Sequence, residues 1–383
     1  MASKLRGHGR KIGFSHFYIS LASSVAIAKM KTHYIRSFDG LRGLAVLGVL
    51  VFHGSYGSFQ GGFLGVDLFF IVSGYLITSL LFEEHQMTGK ISFTKFYARR
   101  ALRLLPALIL GIVIANILWP LTKMSPTNDQ AIATFGALFY STNLIFDTVT
   151  GNLNHLWSLS VEEHFYFAWP FVMAYIIATA RGAVRIRFLL VLLLGVTIFR
   201  ILAFMHEGEW VYKIFVIGSY EFTLCRIDCI LLGALLYFYM NEREAHHKTF
   251  NTSWDYVWLL ACFMVFVSLG LTLSLYDPYW RYGGFIVTNF VCLTIVFLAI
   301  RNPDHPIFSN SILVWVGKRS YGIYIYHLPI FLAMEGLRVA HSAGNLVLVT
   351  ILRWVVSIGV AALSYEFIEK PLLHYKRRYQ VNH

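Results

Sequence analysis

Arg42 and His53 are the first residues along the chain whose types and spacing could do chemistry. They lie eleven positions apart, which on a helix is three turns plus about 20° and a rise of about 16 Å, so both side chains face the same way. A guanidinium can bind an anionic group, and an imidazole can take a proton from a hydroxyl group. We therefore predict that Arg42 and His53 share one helix face inside an apolar segment, where each calls for a partner or a function; a snorkelling Arg42 and a merely hydrogen-bonded His53 are the alternative.

A second pair of basic residues points to anion binding. Arg100 and Arg103 lie one helical turn apart, where like charges repel each other and a bound anion would relieve the repulsion. Phosphate groups are the obvious candidates. The alternative is an ordinary cluster of positive charge at a membrane surface, although Arg103 lies deeper in the apolar segment than such a cluster requires.

Three carboxylates and two ring side chains complete the candidate site. Asp67 lies one to two turns inside the second apolar segment, and Glu162 and Glu163 open a later one, so they reach a depth similar to that of His53. A carboxylate beside a histidine can fix its tautomer and stabilise its cation. We therefore predict that Asp67 or Glu162 orients the base. We expect three more residues to bind the acceptor or to support the site: Glu163, Tyr324 and His327.

The composition shows which elements must position these residues. Of the 383 residues 57% are hydrophobic and 14% charged, against roughly 45–50% and about 25% in soluble domains. This excludes a soluble enzyme and predicts an all-α integral membrane protein, since runs of about 17–25 apolar residues can cross the hydrocarbon core as helices. The predicted spans are 37–56, 61–82, 101–121, 161–180, 188–205, 222–240, 256–275, 283–300, 320–335 and 345–368, with an extra, weak membrane-associated helix at 130–147.

The distribution of positive charge predicts the topology. With ten crossings, 23 of the 32 Lys and Arg residues lie on the side of the termini, four on the other side and five within the spans. The positive-inside rule therefore places both termini in the cytoplasm. We expect a cytoplasmic leader over 1–36, or a true start at Met30, followed by one membrane domain over 37–370 and a basic cytoplasmic tail over 371–383.

Several classes of site and partner are excluded at this stage. The four cysteines lie inside apolar segments without metal-type spacing, so we expect neither a metal site nor a disulfide framework. The net charge of +12 falls in short loops instead of one groove, which argues against a nucleic-acid partner. The chain also lacks a phosphate-binding P-loop, a zinc-protease helix and a G-x-S-x-G nucleophile turn.

Six ordered motifs resemble those of the acyltransferase 3 family of integral membrane acyltransferases, over roughly residues 33–371. One departure is His164, which stands where glutamine is usual. The motifs are Arg42 with His53, the second-helix stretch 65–75, the arginine-rich stretch 97–103 with Pro106, the stretch 157–163 with Phe165 and Tyr166, Ser320-Tyr321 with Tyr324, His327 and Pro329, and the stretch 368–371.

The resemblance implies transfer of an acyl group, usually acetyl from acetyl-CoA, to carbohydrate hydroxyls on the far side of the membrane. The expected acceptor is a cell-surface polysaccharide such as lipopolysaccharide O-antigen or exopolysaccharide, reached from the outer side. Acetyl-CoA or another acyl-CoA enters as a substrate from the cytoplasm, and no bound cofactor is expected. The resemblance also implies a multi-pass protein in the lipid bilayer of a bacterial inner membrane. Some relatives carry a hydrolase-like C-terminal domain that helps transfer, so we expect any such partner here to be a separate periplasmic protein or to be unnecessary.

Within this frame, Arg42, Arg100 and Arg103 would hold the donor, and His53 would take the proton of the acceptor hydroxyl. Direct transfer and a transient acyl-histidine both fit these residues. Acylation of a small secreted metabolite or of a lipid-linked sugar is the alternative reaction. A transporter is the alternative of another class, because ten spans with charges near the midplane also describe carriers, but no inverted repeat is visible.

Overall fold

A computed structural model of the chain describes residues 34–54, 59–123, 128–145, 147–205, 220–244, 252–274, 277–280, 283–337 and 346–375. Nearly all of the predicted leader and the end of the predicted tail lie outside these residues, and the proposed division into leader, domain and tail stays a prediction. All regular structure in the described ranges is helical, which confirms the all-α part of the predicted fold class.

Thirteen α-helices of six or more residues appear within the described ranges, joined by short 3₁₀- and other helical turns. In chain order they are α1 (Arg36–Gly54), α2 (Gly65–Thr88), α3 (Phe93–Leu118), α4 (Gln130–Leu138), α5 (Trp157–Thr179), α6 (Ala183–Met205), α7 (Thr223–Glu244), α8 (Thr252–Thr272), α9 (Gly284–Arg301), α10 (Ser311–Lys318), α11 (Ser320–Gly336), α12 (Leu346–Ser364) and α13 (Lys370–Tyr375).

Each of the ten predicted spans corresponds to one of these helices. Seven described stretches are long and apolar enough to cross a membrane: Arg36–Gly54, Gln60–Thr88, Phe93–Leu121, Ala183–Met205, Thr223–Glu242, Gly284–Arg301 and Leu346–Tyr375. The other three predicted spans are α5, α8 and α11. The structure therefore supports a multi-pass membrane protein, whereas ten crossings and two cytoplasmic termini stay predictions.

The weak segment 130–147 is not a continuous helix. Helix α4 has nine residues, about 14 Å at 1.5 Å per residue, which is too short to cross a hydrocarbon core of about 30 Å. Its start is fixed by Asp129, whose carboxylate accepts hydrogen bonds from the backbone N–H groups of Ala131 and Ile132. The helix ends at Leu138, and Tyr140 follows with a left-handed φ of 52°.

Close backbone contact joins α2 and α7. A Cβ atom added at Gly74 would lie 1.9 Å from the carbonyl oxygen of Ile230, and one added at Gly233 would lie 2.0 Å from that of Ile71. The two glycines are thus reciprocal, each removing the side chain that would push the helices apart. Small residues at helix interfaces serve this purpose in membranes, where apolar side chains gain little by leaving lipid.

Buried ion pairs also connect the helices. Arg226 of α7 lies 2.7 Å from Asp67 of α2, and both side chains are almost fully buried. Arg200 of α6 lies 2.6 Å from Asp228 of α7, which also accepts a hydrogen bond from Asn289 of α9. Isolated charges at such depth would be costly, and mutual pairing removes most of that cost. Four helices are therefore joined through their charges.

Replacing Gly233 by alanine is expected to destabilise the protein. The new methyl group would overlap the Ile71 carbonyl oxygen, and such overpacking costs about 1–3 kcal/mol. Gly195→Ala in α6 is the matched control, because its Cβ meets no atom of the described residues within 4 Å. Thermal unfolding of the detergent-solubilised protein should show a lower Tm for Gly233→Ala than for Gly195→Ala. Equal Tm values would contradict the close contact.

Removing only the negative partner of Arg226 should also destabilise the protein. Asp67→Asn leaves a buried guanidinium without its counter-charge, at an expected cost of about 3–5 kcal/mol. The double variant Asp67→Leu with Arg226→Met removes both charges and should recover most of the loss. Chemical unfolding in detergent compares the two, and a double variant less stable than Asp67→Asn would show that Asp67 does not act through Arg226.

Candidate active site

A cavity lies between helices α1, α2, α3, α5 and α11. Its empty volume is about 630 Å³, including space open to solvent. Arg42 of α1, Arg100 and Arg103 of α3 and Glu162 of α5 are the charged residues that line it. Three positive charges against one carboxylate make the cavity suited to a negatively charged ligand. The structure thus brings together the three arginines that the sequence analysis assigned to anion binding.

The arginines retain capacity for a ligand. Arg42 lies 3.8 Å from Asp39 and Arg100 lies 3.7 Å from Glu163, both well beyond the 2.7–2.9 Å of a strong charge-assisted hydrogen bond. The Arg100 guanidinium also lies 3.7 Å from the ring centre of Tyr166, a cation–π contact. The side chain of Arg103 lines the cavity and has no hydrogen bond or ion pair to a residue that the structure describes.

The first turns of α5 bring the two glutamates to the cavity region. Glu162 lines the cavity and accepts a 2.8 Å hydrogen bond from the Ser73 hydroxyl of α2. Its neighbour Glu163 faces Arg100. His164, the departure from the usual motif, forms a 2.8 Å hydrogen bond with Thr223 of α7. The three consecutive side chains therefore reach three different helices.

His53 and His327 form a hydrogen-bonded pair whose tautomers can be derived. Nδ1 of His327 lies 2.6 Å from the backbone oxygen of Tyr324, and a carbonyl oxygen only accepts, so this nitrogen carries the proton. Nε2 of the neutral His327 ring is then an acceptor. It lies 3.0 Å from Nδ1 of His53, which must therefore donate. The proton of His53 thus lies on Nδ1, and its Nε2 keeps a lone pair.

Tyr324 connects this histidine pair to the cavity. Its side chain lines the cavity, while its backbone oxygen binds His327. Its hydroxyl donates to the backbone oxygen of His155 at 2.7 Å and accepts from the Ser158 hydroxyl at 2.6 Å. The three hydrogen bonds hold both the ring and the backbone of Tyr324 in place. The wall of the cavity and the orientation of His327 are therefore set by the same residue.

His155 is a residue of this site that sequence reasoning missed. Its Nε2 donates to the backbone oxygen of Ile325 at 3.1 Å, and its ring lies edge-on to that of His327 with centroids 4.9 Å apart. The available signal was its position two residues before Trp157, at the start of the best-defined motif. His155 lies in a short helical turn that precedes α5, outside the helical stretch that carries the motif.

The two carboxylates predicted to orient His53 have other partners. Asp67 is paired with Arg226 and also accepts from the Cys229 thiol at 3.3 Å. Glu162 is bound by Ser73. The side chain that hydrogen-bonds to His53 is His327, which the sequence analysis had placed among the supporting residues. In this structure, therefore, a neutral imidazole occupies the position expected for a carboxylate.

Comparison with known proteins agrees with the motif analysis. The family model described as an acyltransferase domain matches residues 35–365. A protein of Staphylococcus aureus strain COL, whose name places it among the O-acetyltransferases, is 33% identical over 362 residues, covering 89% of this chain and 58% of that protein. O-acetyltransferase OatA of strain NCTC 8325 is 30% identical over 361 residues, covering 88% of this chain and 57% of OatA.

The chain therefore spans somewhat more than half the length of these curated relatives. No solved structure matches it significantly. The family model nevertheless covers nearly all of the described helices, from the start of α1 to the end of α12. The chain belongs to the acyltransferase 3 family.

Proposed function

We propose that the protein is a membrane O-acyltransferase that moves an acyl group, acetyl in the first instance, from acyl-CoA to hydroxyl groups of a cell-surface polysaccharide. Lipopolysaccharide O-antigen and exopolysaccharide are the proposed acceptor classes. The observation that carries the proposal is the connection, through Tyr324, between a cavity lined by three arginines and a histidine whose Nε2 carries a lone pair.

The arginines suit the phosphate groups of coenzyme A. Phosphate oxygens accept bidentate hydrogen bonds from guanidinium groups, and several arginines can share the charge of a diphosphate. Arg42 and Arg100 have only long ion pairs, and Arg103 has capacity for a further partner. The positive-inside distribution supports donor entry from the cytoplasm, so we propose that the bacterial inner membrane separates donor and acceptor.

The lone pair on Nε2 of His53 makes this nitrogen the base of the reaction. It takes the proton of the acceptor hydroxyl while the hydroxyl oxygen bonds to the thioester carbonyl carbon. The carbon–sulfur bond then breaks, and the leaving thiolate receives the proton from His53. The same nitrogen would attack the thioester in a route through acyl-histidine. Either route requires that Nδ1, and not Nε2, carries the proton in the resting protein.

Loss of His53 should abolish acylation without removing the protein from the membrane. His53→Ala takes away the only nitrogen assigned as base, and general-base catalysis contributes about 10²–10⁴-fold in rate. His374→Ala is the matched control, since His374 is exposed on α13. The assay uses purified protein in vesicles, [¹⁴C]acetyl-CoA on one side and alkali-de-O-acetylated polysaccharide from the source strain on the other. Wild-type rates in His53→Ala would contradict the proposal.

Loss of Arg103 should weaken donor binding. Removing one charge-assisted contact to phosphate costs about 1.5–3 kcal/mol, so Arg103→Ala should raise the KM for acetyl-CoA by about 10–100-fold. Arg103→Lys keeps the charge and should recover part of the loss. Arg187→Ala, an exposed arginine of α6, is the control. An unchanged KM for acetyl-CoA in Arg103→Ala would exclude Arg103 from the donor site.

A further inference from the structure

We propose that His327 acts as a second proton carrier, fixing the tautomer of His53 and sharing its proton during acyl transfer. The inference rests on the proposed function, because it assigns His53 as the base. His327 is a positioning residue in this account, since it contacts neither donor nor acceptor and acts only through His53.

The hydrogen-bond series has a defined direction. It runs from Nδ1 of His53 to Nε2 of His327 at 3.0 Å, and from Nδ1 of His327 to the Tyr324 carbonyl at 2.6 Å. The carbonyl cannot donate, so every proton in the series points away from the reacting nitrogen. A lone imidazole would exchange between two tautomers, only one of which leaves Nε2 of His53 basic. The His53 ring also has a hydrogen bond to the Val49 backbone, and His327 is the side chain that disfavours the unproductive tautomer.

The position of His327 favours a neutral partner over a carboxylate. Its side chain is fully buried, and a permanent charge there would require a counter-charge. The facing groups are His53 of α1, His155 of the turn before α5, and Tyr324 and Phe331 of its own helix. The Nε2 proton of His155 is already donated to Ile325. The resting histidine pair is therefore neutral, and it carries a positive charge only transiently, when His53 takes the acceptor proton.

The proton steps balance over one turnover. As Nε2 of His53 takes the acceptor proton, the proton on Nδ1 of His53 moves to Nε2 of His327, and the positive charge passes to the second ring. The other proton of His327 stays on its Nδ1, hydrogen-bonded to the Tyr324 carbonyl. When the carbon–sulfur bond breaks, His327 returns its proton to Nδ1 of His53, and the proton on Nε2 of His53 goes to the thiolate. Both rings end neutral and in their starting tautomers.

Two replacements of His327 separate tautomer control from proton sharing. In His327→Gln, the side-chain oxygen reaches the former position of Nε2 and accepts from His53, but it cannot take the proton. In His327→Phe, the ring shape is kept and the acceptor is lost. Tyr326→Phe is the control on the same helix: it loses a buried hydrogen bond to Ser364 outside the histidine pair. Gel filtration in detergent checks that each variant is folded.

The first readout is ¹⁵N solid-state NMR of histidine-labelled protein in lipid, with His53 assigned by comparison with His53→Ala. We expect Nδ1 of His53 to be protonated and Nε2 unprotonated in the wild type, in Tyr326→Phe and in His327→Gln, and a mixture or the opposite tautomer in His327→Phe. A protonated Nε2 in the wild type would overturn the inference. This readout needs no substrate, so it stands apart from the proposed function.

The second readout is acetyl transfer from acetyl-CoA to the de-O-acetylated polysaccharide. We expect kcat to fall by about tenfold in His327→Gln, where His53 keeps its tautomer but can no longer share its proton. We expect a fall of about 10²–10⁴-fold in His327→Phe, where the control of the His53 tautomer is lost as well. The KM for acetyl-CoA should not change. A wild-type kcat in His327→Gln would exclude proton sharing, and only the control of the His53 tautomer would remain as a role of His327. A wild-type protein that transfers no acetyl group would instead contradict the proposed function.

Discussion

Water is scarce in the hydrocarbon core of a membrane, so a polar side chain placed there must find its partner in the protein. This constraint accounts for the arrangement of the buried charges. Arg226 is bound to Asp67 and Arg200 to Asp228, each at 2.7 Å or less, and these pairs, with Asn289, join α2, α6, α7 and α9 through side chains that do not line the cavity. Two of these helices, α2 and α7, are also held by backbone contact at Gly74 and Gly233. Charge pairing and close packing thus act together on α2 and α7.

The same constraint separates structural charges from those available for a ligand. Arg42 and Arg100 have ion pairs of 3.7–3.8 Å, and Arg103 lines the cavity. Such residues are stable inside a membrane protein only where water or an anion reaches them. The cavity supplies that access. Short, closed ion pairs therefore mark the scaffold, and long or open ones mark the candidate donor site, although both sets consist of the same residue types in apolar segments.

Sequence patterns predicted individual elements well and their partners poorly. The apolar runs located helices within a few residues, as for 37–56 against Arg36–Gly54 and 188–205 against Ala183–Met205. The polar residues in 130–147 predicted a weak helix, and the structure reduces it to the nine-residue α4. Depth arguments also placed Asp67 near His53, but depth fixes only one coordinate. Rotation about the helix axis and the identity of the neighbouring helix decide contact, and these brought Asp67 to Arg226.

The membrane class, the approximate helices and the family can all be predicted from the sequence. Each follows from local quantities: composition, hydropathy, helical periodicity and motif order. Helix packing is what brings three arginines to one cavity, places His327 instead of a carboxylate beside His53, and adds His155 to the site. The physical reason is that a hydrogen bond forms only when the distance between its two atoms is correct to within a few tenths of an ångström. His53 and His327, which form such a bond, are 274 positions apart. Local patterns carry no such information, whereas helix packing fixes it.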